Sequence, residues 1–441
     1  RYTSYPPATS FHEGFTGKDY IGVLEQSNHE HPRAISLYFH IPFCPRLCFY
    51  CGCTTHISKD EKLHDQYMKA LHQEIRMVAG LLDEDRPVTQ IHWGGGTPNA
   101  LAAEKIEETM ELIRKLFKTV PETEIAMECN PAYLDKDYID RLIQSGFNRI
   151  SLGIQDFDTT VLKAVNRQPS ALPLKDIARQ LRDGGAAVNL DFIYGLPKQT
   201  PESFNDTIQK AIELKPDRIV TFSYAHVPWV KEHQKTLEKH HIPGPDEKMT
   251  MFENARETLI NAGYTAIGMD HFALPEDPLT EAINNHNLHR NFQGYCTRET
   301  TGQVYAFGMS AISQLNRAYA QNTKNIPEYI KSINEGKTAI VKGYIADETD
   351  VIVREVINEI MCNNYLNWSV TAKRLSKTPD ELKKTTGFDP EKLAPLADDN
   401  LVTYNDQTIE VTETGRFLIR NIAAIFDPKL KAGTKRFSKT I

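Results

Sequence analysis

The sequence predicts an α/β protein with a mainly parallel sheet, followed by a smaller, mostly helical unit. Three observations carry this. Between about residues 35 and 270, short β-branched or aromatic runs alternate with longer amphipathic stretches, the pattern of repeated βαβ units. After about residue 340, helical periodicity takes over and ends in a hairpin pattern. The 441 residues are 40% hydrophobic and 25% charged, which suits a globular chain of two or three domains and excludes disorder, collagen and coiled coil.

Residues 1–34 precede the first strand and are expected to pack on the α/β unit as an N-terminal segment. Candidate strands follow at 35–40, 88–93, 124–129, 149–153, 187–194, 218–225 and 264–269, short runs in most of which β-branched or aromatic residues predominate. Between them, 61–82, 103–117 and 202–214 carry apolar residues at helical spacing. Periodicity leaves open whether these units form an open doubly wound sheet or a barrel. In the last part, helices are expected at 348–362, 370–376 and 380–385. Strands at 401–404 and 408–411, separated by Asn405-Asp406-Gln407, read as a hairpin before an apolar helix at 415–426. Helices and then a hairpin suggest a winged-helix-like domain. Residues 345–441 carry 14 Lys+Arg against 15 Asp+Glu, so a structural or lid role is favoured over DNA binding. The expected domains are therefore 1–34, 35–340 and 341–441.

The net charge of −7 argues against nucleic acid as the main partner, because phosphate neutralisation needs an excess of cations. No apolar run approaches the 18 or so residues that span a bilayer, and no signal peptide is read, so a cytoplasmic protein is expected.

Four of the seven cysteines, Cys44, Cys48, Cys51 and Cys53, fall within ten residues. Cys129, Cys296 and Cys362 lie far apart and read as buried spectators. Cys44-Pro-Arg-Leu-Cys48-Phe-Tyr-Cys51 is a CxxxCxxC motif directly after a strand. Three thiolates on one loop can hold three irons of a [4Fe–4S] cluster and leave the fourth iron open to a small molecule. The competing readings are a zinc knuckle with Cys53 or His56 as fourth ligand, or unliganded thiols. Zinc sites usually pair two separated CxxC elements, and no second one is present.

CxxxCxxC after a strand, with Gly94-Gly95-Gly96-Thr97-Pro98 closing the next, resembles a radical S-adenosylmethionine (SAM) enzyme. Further motifs are similar to the oxygen-independent coproporphyrinogen III oxidases: Arg1-Tyr-Thr-Ser-Tyr-Pro6, Cys53, the run from Asp191 to Pro201, Gly268-Met-Asp-His-Phe-Ala273, His289-Arg-Asn-Phe-Gln-Gly-Tyr295, Tyr319-Ala-Gln-Asn322 and Leu418-Ile-Arg-Asn421. The resemblance covers essentially the whole chain. It implies a partial (β/α)6 TIM-like barrel plus a small helical, winged-helix-like domain. It also implies a [4Fe–4S] cluster on Cys44, Cys48 and Cys51, with Cys53 outside the ligand set.

In such a family SAM chelates the open iron and is cleaved reductively to a hydrogen-abstracting radical. The resemblance places SAM contacts on Tyr38, Tyr50, Gly95, Gly96, Thr97, Glu128, Gln155, Arg167, Asp191, Ala225 and Ile312. Two SAM molecules are implied, the second at Tyr50, Gln155, Arg167, Asp191 and Ala225, with Arg167 a candidate fork for its carboxylate. Strand ends give a partly independent check, since barrels gather reacting groups there. The expected strands put His40, Gly94–Thr97, Glu128, Gln155, Asp191 and Ala225 at or just beyond six successive ends, Asp191 being the loosest fit. Tyr38, His40, Glu128, Phe292, Gln293 and Ile312 are read as the residues nearest the reaction. Segments 289–295 and 308–313 are expected to cover the barrel mouth and exclude water.

The implied substrate is coproporphyrinogen III, two of whose four propionates become vinyl groups with loss of CO₂. An electron donor for the cluster and a further electron acceptor are implied, and a monomer is the default expectation. The flexible tetrapyrrole needs apolar walls and a locally basic lining, for which Arg290 is one candidate. Two other readings share the scaffold. One is a haem chaperone, against which Cys53 counts; the other is a radical methyltransferase that opens haem, against which segment 289–295 and the C-terminal domain count.

Overall fold

The structure, a computed structural model, describes residues 5–291, 294–298 and 303–430. Six strands follow the expected order: β1 (Ile35–Ile41), β2 (Pro87–Gly95), β3 (Lys118–Cys129), β4 (Arg149–Gln155), β5 (Ala187–Tyr194) and β6 (Arg218–Ser223). Each pairs in parallel with the next. Helices Glu61–Ala79, Ala103–Leu116, Lys136–Gln144, Leu174–Asp183 and Pro201–Glu213 return the chain between them. Several start where the sequence supplies a cap: Asp60 accepts from the Lys62 N–H, Asp135 from Tyr138, and Thr200 forms a reciprocal box with Ser203.

A seventh parallel strand, β7 (Gln303–Phe307), joins the free side of β1, in register Tyr38↔Ala306. It lies outside the expected set. Every residue of it is buried, so it lacks the apolar–polar alternation that marks a half-exposed strand. The expected strand at 264–269 proves to be a short antiparallel edge, Thr265–Ile267, reached through His271–Ala273, which pairs antiparallel with β6. Beyond β7, three antiparallel strands (Ile312–Gln314, Ala318–Asn322 and Ile340–Ile345) complete one twelve-stranded sheet.

Alternation along the strands sorts their side chains. Phe39, Trp93 and Phe307 point outward into the helix layer, with Phe39 centroids 5.1 Å from both other rings. Burying each such ring is worth roughly 1.5–3 kcal/mol. The opposite face lines a polar lumen. At its floor Glu124 pairs with Arg149 at 2.8 Å, and Arg218 grips Asp277 through two bonds of 2.8 and 2.9 Å. Burial alone would raise the Glu124 carboxyl, but Arg149 and Arg218 hold it down at about 2. The floor is thus closed by paired charges rather than by aliphatic packing.

The C-terminal part has its own core, including Val353, Ile357, Trp368, Leu382, Ile409, Ile422 and Phe426. Its helices Glu348–Asn363, Trp368–Arg374 and Pro379–Thr385 and strands Val402–Tyr404 and Thr408–Val411 match expectation closely. A strand Tyr365–Asn367 completes a three-stranded sheet, and helix Pro390–Asp398 fills an interval that was left unassigned. The helix expected at 415–426 is a 3-10 turn, Gly415–Leu418, running into a short α-helix, Ile419–Ala424. Gly415 packs so closely on the Leu401 carbonyl that no side chain fits there. Tyr5 joins this core and donates to Asp350 at 2.7 Å, while Phe15, Tyr20 and Leu24 join the barrel core.

A buried polar knot ties the two parts together. Arg298, after the hairpin Leu288–Asn291/Gly294–Thr297, pairs with Glu355 at 3.0 Å and with Glu359; Arg374 also reaches Glu359, at 2.6 Å. Asn363 accepts from the Leu288 N–H at 3.0 Å and donates to its carbonyl. His289 is buried beside this knot, its Nδ1 without a partner, and burial pushes its imidazole down to about 4. A base held neutral in the fold stabilises fully above its free pKa near 6.5 and loses that contribution as pH falls toward 4. Wild-type unfolding free energy in urea should therefore fall by about 3 kcal/mol between pH 7 and pH 4 from this group. His289→Asn should flatten that limb, and an equal decline in the variant would show that the imidazole is not the sensing group.

Candidate active site

Cys44 ends a two-residue strand, Phe43–Cys44, paired with His56–Ile57, and the intervening loop carries Cys48, Cys51 and Cys53. The loop is fixed mainly through its backbone. The Phe49 N–H donates to the Val165 carbonyl at 2.9 Å, and Asn166 donates to the Leu47 carbonyl at 2.8 Å. From the other side, Gln234 donates to the Tyr50 carbonyl at 2.9 Å, His233 Nε2 lies 2.9 Å from the Cys51 carbonyl, and Lys231 donates to the Cys53 carbonyl at 2.7 Å. This clip from segment 231–234 was missed in the sequence, where nothing but mixed charge marks it.

Cys44 is buried, and burial pushes its thiol up to about 11 even though the Thr97 hydroxyl lies 3.3 Å away. A hydrogen bond with the Cys53 thiol pulls Cys51 down to about 6. Arg167 Nη1 lies 3.6 Å from Cys48 Sγ and 3.1 Å from the Tyr50 hydroxyl, which brings three of the expected residues together. Among the described residues no three His, Cys, Asp or Glu side chains converge on a single ion. His56, considered as a fourth zinc ligand, is exposed.

Beside the thiols, β2 ends in the glycine run. A Cβ on Gly96 would stand 2.7 Å from the Pro42 and Phe43 carbonyls, and one on Gly95, at φ +116°, 2.8 Å from the Ile41 carbonyl. Gly94 faces Glu128, whose carboxylate a Cβ would meet at 2.9 Å. The glycines therefore let the end of β2 pack directly on the backbone of residues 41–43 and on Glu128. At the end of β4, Gln155 takes a left-handed backbone, φ 71°, with its buried Oε1 lacking a partner. A buried acceptor without a donor is a place prepared for a ligand's N–H or O–H.

Glu128 lies 3.1 Å from His92 Nε2, and Ser151 donates to Asp191 at 2.8 Å. Burial raises the Asp191 carboxyl to about 6. Asp191 is the loosest of the strand-end assignments: it sits three residues before the end of β5 and faces the lumen. His92 and Ser151 were not singled out in the sequence, although alternation from Gly94 and Gly153 puts both on the lumen face. Tyr38 stacks on His92 at 5.9 Å and lies 3.2 Å from His40 Nδ1, while His40 Nε2 lies 3.3 Å from the Ser310 hydroxyl. Ala225 lies just past β6, its carbonyl accepting from Gln234.

Of the expected cover, Ile312 is half-buried on its strand, and the turn before it reaches His40 through Ser310. Phe292 and Gln293 lie outside the described residues. The hairpin flanking them lines the lumen with Asn291, Gly294, Tyr295 and Cys296, which share it with His92, Glu128 and Asp191. Cys129, Cys296 and Cys362 are buried, and of these only Cys296 is among the lumen residues. Arg290 stacks on Tyr295 at 5.4 Å.

A family model described as the radical SAM superfamily matches residues 38–211. An oxygen-independent coproporphyrinogen III oxidase of Synechocystis is 41% identical over 456 residues, covering all of this chain and 95% of that protein. The proteins of that name from Escherichia coli and Pseudomonas aeruginosa are 40% and 38% identical, again over the whole chain and over 95% and 96% of their own lengths. A solved structure of coproporphyrinogen III oxidase from Escherichia coli, described as a radical SAM enzyme, superposes with a TM-score of 0.91 at 39% identity, covering 97% of each chain. The chain therefore belongs to the oxygen-independent coproporphyrinogen III oxidases of the radical SAM superfamily.

Proposed function

We propose that this chain converts coproporphyrinogen III to protoporphyrinogen IX, turning two propionates into vinyl groups. The observation that carries the reading is convergence. The thiol loop meets the glycine run where Cys44 lies 3.3 Å from Thr97, and Gly94 faces Glu128, which lines one lumen with Asp191, in a chain similar end to end to oxidases of this name. Each conversion removes a hydrogen atom from a propionate β-carbon, releases CO₂ and passes one electron to an acceptor. The cluster and SAM supply the hydrogen abstraction, and the chain supplies position and exclusion of water.

Cys44, Cys48 and Cys51 are the proposed cluster ligands. Gly95, Gly96 and Thr97 take the amino-acid end of SAM, with Glu128 and Asp191 accepting from its ammonium or hydroxyls. Two SAM molecules are proposed, the second held by Tyr50, Gln155, Arg167, Asp191 and Ala225; Arg167 is already turned toward Tyr50 and Cys48. Tyr38, His40 and Ile312 form the near wall. Phe292 and Gln293 remain proposed as contacts to the reacting group. No described helix is long and apolar enough to cross a membrane. An electron donor for the cluster, a separate acceptor and a monomer working in the cytoplasm complete the proposal.

Anaerobic incubation of the reconstituted, reduced protein with SAM and coproporphyrinogen III should yield a product lighter by two CO₂ and four hydrogens; unchanged substrate would refute the reaction. Cys48→Ala should lose the cluster absorbance and activity together, while Cys53→Ser keeps near-normal iron. Retention of four irons in the first variant, or their loss in the second, would reassign the ligands. Gly94→Ala separates cofactor binding from cluster assembly. Its Cβ meets only the mobile end of Glu128, so iron content and melting temperature should hold. Affinity for SAM should fall about ten- to hundredfold if Glu128 is a contact; unaltered affinity would remove Glu128 from the site.

A further inference from the structure

The Tyr319-Ala-Gln-Asn322 motif lies outside the site, yet its last two side chains converge on the turn that reaches His40. Gln321 donates to the Ser310 carbonyl at 3.2 Å, and Asn322 donates to the Gly308 carbonyl at 2.9 Å. The same Asn322 amide donates to Glu74 at 2.7 Å. Glu74 also accepts from the Gly308 N–H and from the Tyr329 hydroxyl, each at 2.7 Å. It is 6% exposed on helix Glu61–Ala79, in the layer outside the sheet. Its partners are three neutral donors, and burial raises its carboxyl above the usual range. A carboxyl buried without a cation is a costly way to gain stability.

Tyr67, on the same face of that helix, holds the same turn. Its hydroxyl donates to the His40 carbonyl at 2.7 Å and accepts from the Met309 N–H at 2.9 Å. A Cβ at Gly308 would stand 2.5 Å from that hydroxyl and 2.6 Å from the His40 carbonyl, so the turn and the end of β1 are pressed together. Ser310 takes a left-handed backbone, φ 64°, which is disfavoured for a residue with a Cβ. It persists because its surroundings over-determine it: the Ser310 N–H donates to the Thr323 carbonyl at 2.7 Å, and its carbonyl accepts from Gln321.

What the strained turn holds is the His40 ring. The Ser310 hydroxyl lies 3.3 Å and the Thr54 carbonyl 3.1 Å from His40 Nε2. A carbonyl only accepts, so Nε2 carries the proton and Nδ1 accepts from the Tyr38 hydroxyl at 3.2 Å. The ring also lies against the glycine run, where a Cβ at Gly95 would stand 2.9 Å from it. His40 is thus wedged between the turn, the residue after Cys53 and the backbone of Gly95.

We propose that Glu74, with Tyr67 beside it, is a positioning residue for SAM binding. By clamping turn 308–310 it makes Ser310 hold the His40 ring against Gly95, and so fixes the shape of the glycine run from a helix outside the barrel. Glu74 touches no reacting group. The clamp rests on the assignment of Gly95 and Gly96 to SAM under the proposed function.

The test reads SAM affinity by equilibrium dialysis, with iron content and melting temperature, on the anaerobically reconstituted holoenzyme. Glu74→Gln keeps the shape but offers one acceptor oxygen to donors that approach two, so one donor loses its partner. SAM should bind about tenfold more weakly in Glu74→Gln and in Ser310→Ala, with iron unchanged. Because the acid acts through the turn, the losses should not add, and the double variant should stay within about twofold of the worse single. Tyr67→Phe, which releases Met309 and the His40 carbonyl from the same helix face, should also weaken SAM. Tyr329→Phe deletes a bond to the same carboxylate but none to the turn, and should stay within about twofold of wild type.

Unchanged affinity in Ser310→Ala, or in both Glu74→Gln and Tyr67→Phe, overturns the clamp, and so do additive losses in the double variant. Equal weakening in Tyr329→Phe, with a matching fall in melting temperature, also overturns it by making the acid a packing group. No SAM binding by wild type would sink the assignment of the glycine run itself; tight binding by wild type that is indifferent to these changes sinks only the clamp.

Discussion

Beyond Cys44, which ends a two-residue strand, the thiol loop has no helix or strand to hold Cys48 and Cys51 in fixed positions, and the rest of the site depends on that constraint. Backbone hydrogen bonds from outside the loop meet it. Val165 and Asn166 hold one flank, while Lys231, His233 and Gln234 hold three carbonyls on the other. Side chains of the loop are thereby left for chemistry. The same economy governs the glycine run, where β1 and the start of the thiol loop approach so closely that a Cβ at Gly95 or Gly96 would collide with backbone, and at Gly95 with the His40 ring as well. Loop, glycine run and β1 form one rigid corner, and substitutions there act on geometry before they act on any contact with a cofactor.

The polar lumen follows from what it is proposed to contain. A barrel filled by aliphatic layers leaves no room for two zwitterions and a carboxylate. Here His92, Glu128, Ser151 and Asp191 occupy middle positions and paired ions close the floor. Paired buried charges contribute little net stability compared with apolar packing, so stability must come from elsewhere. It comes from the outward faces, where Phe39, Trp93 and Phe307 stack under the helices. Function inside and cohesion outside are separated by strand alternation, one residue apart.

That separation explains what was legible in the sequence. Strands β1 to β6 were readable because they alternate with amphipathic helices at regular intervals. β7 was not, because Gln303–Phe307 is a short run outside that alternation, with antiparallel strands rather than a helix following it. The thiol loop and Gly94–Gly96 were legible as motifs, since spacing carries their chemistry. His92 and Ser151 were legible only in principle, as lumen-facing neighbours of a motif glycine. Segment 231–234 was not legible at all: its role is to meet carbonyls, and any backbone presents the same carbonyls whatever its side chains. Helix 415–426 was misread as continuous because the close approach of Gly415 to Leu401 is a tertiary fact.

The C-terminal part was expected either to brace the barrel or to cover it, and its connections argue that these are one task. Its first helix, Glu348–Asn363, grips the base of the 288–297 hairpin through Asn363, Glu355 and Glu359. Its last segment, through Phe417 and Arg416, lines voids beside the lumen. Tyr5 enters the same core and shares Asp350 with Tyr344 and Lys429. The hairpin packs through Leu288 and Tyr295 against Cys362 of that first helix, while Phe417 packs on the barrel core. The C-terminal part is thus seated on the barrel side at both ends of its own sequence, by polar pairs at one end and an aromatic ring at the other, so bracing the barrel and standing beside its lumen are the same set of contacts.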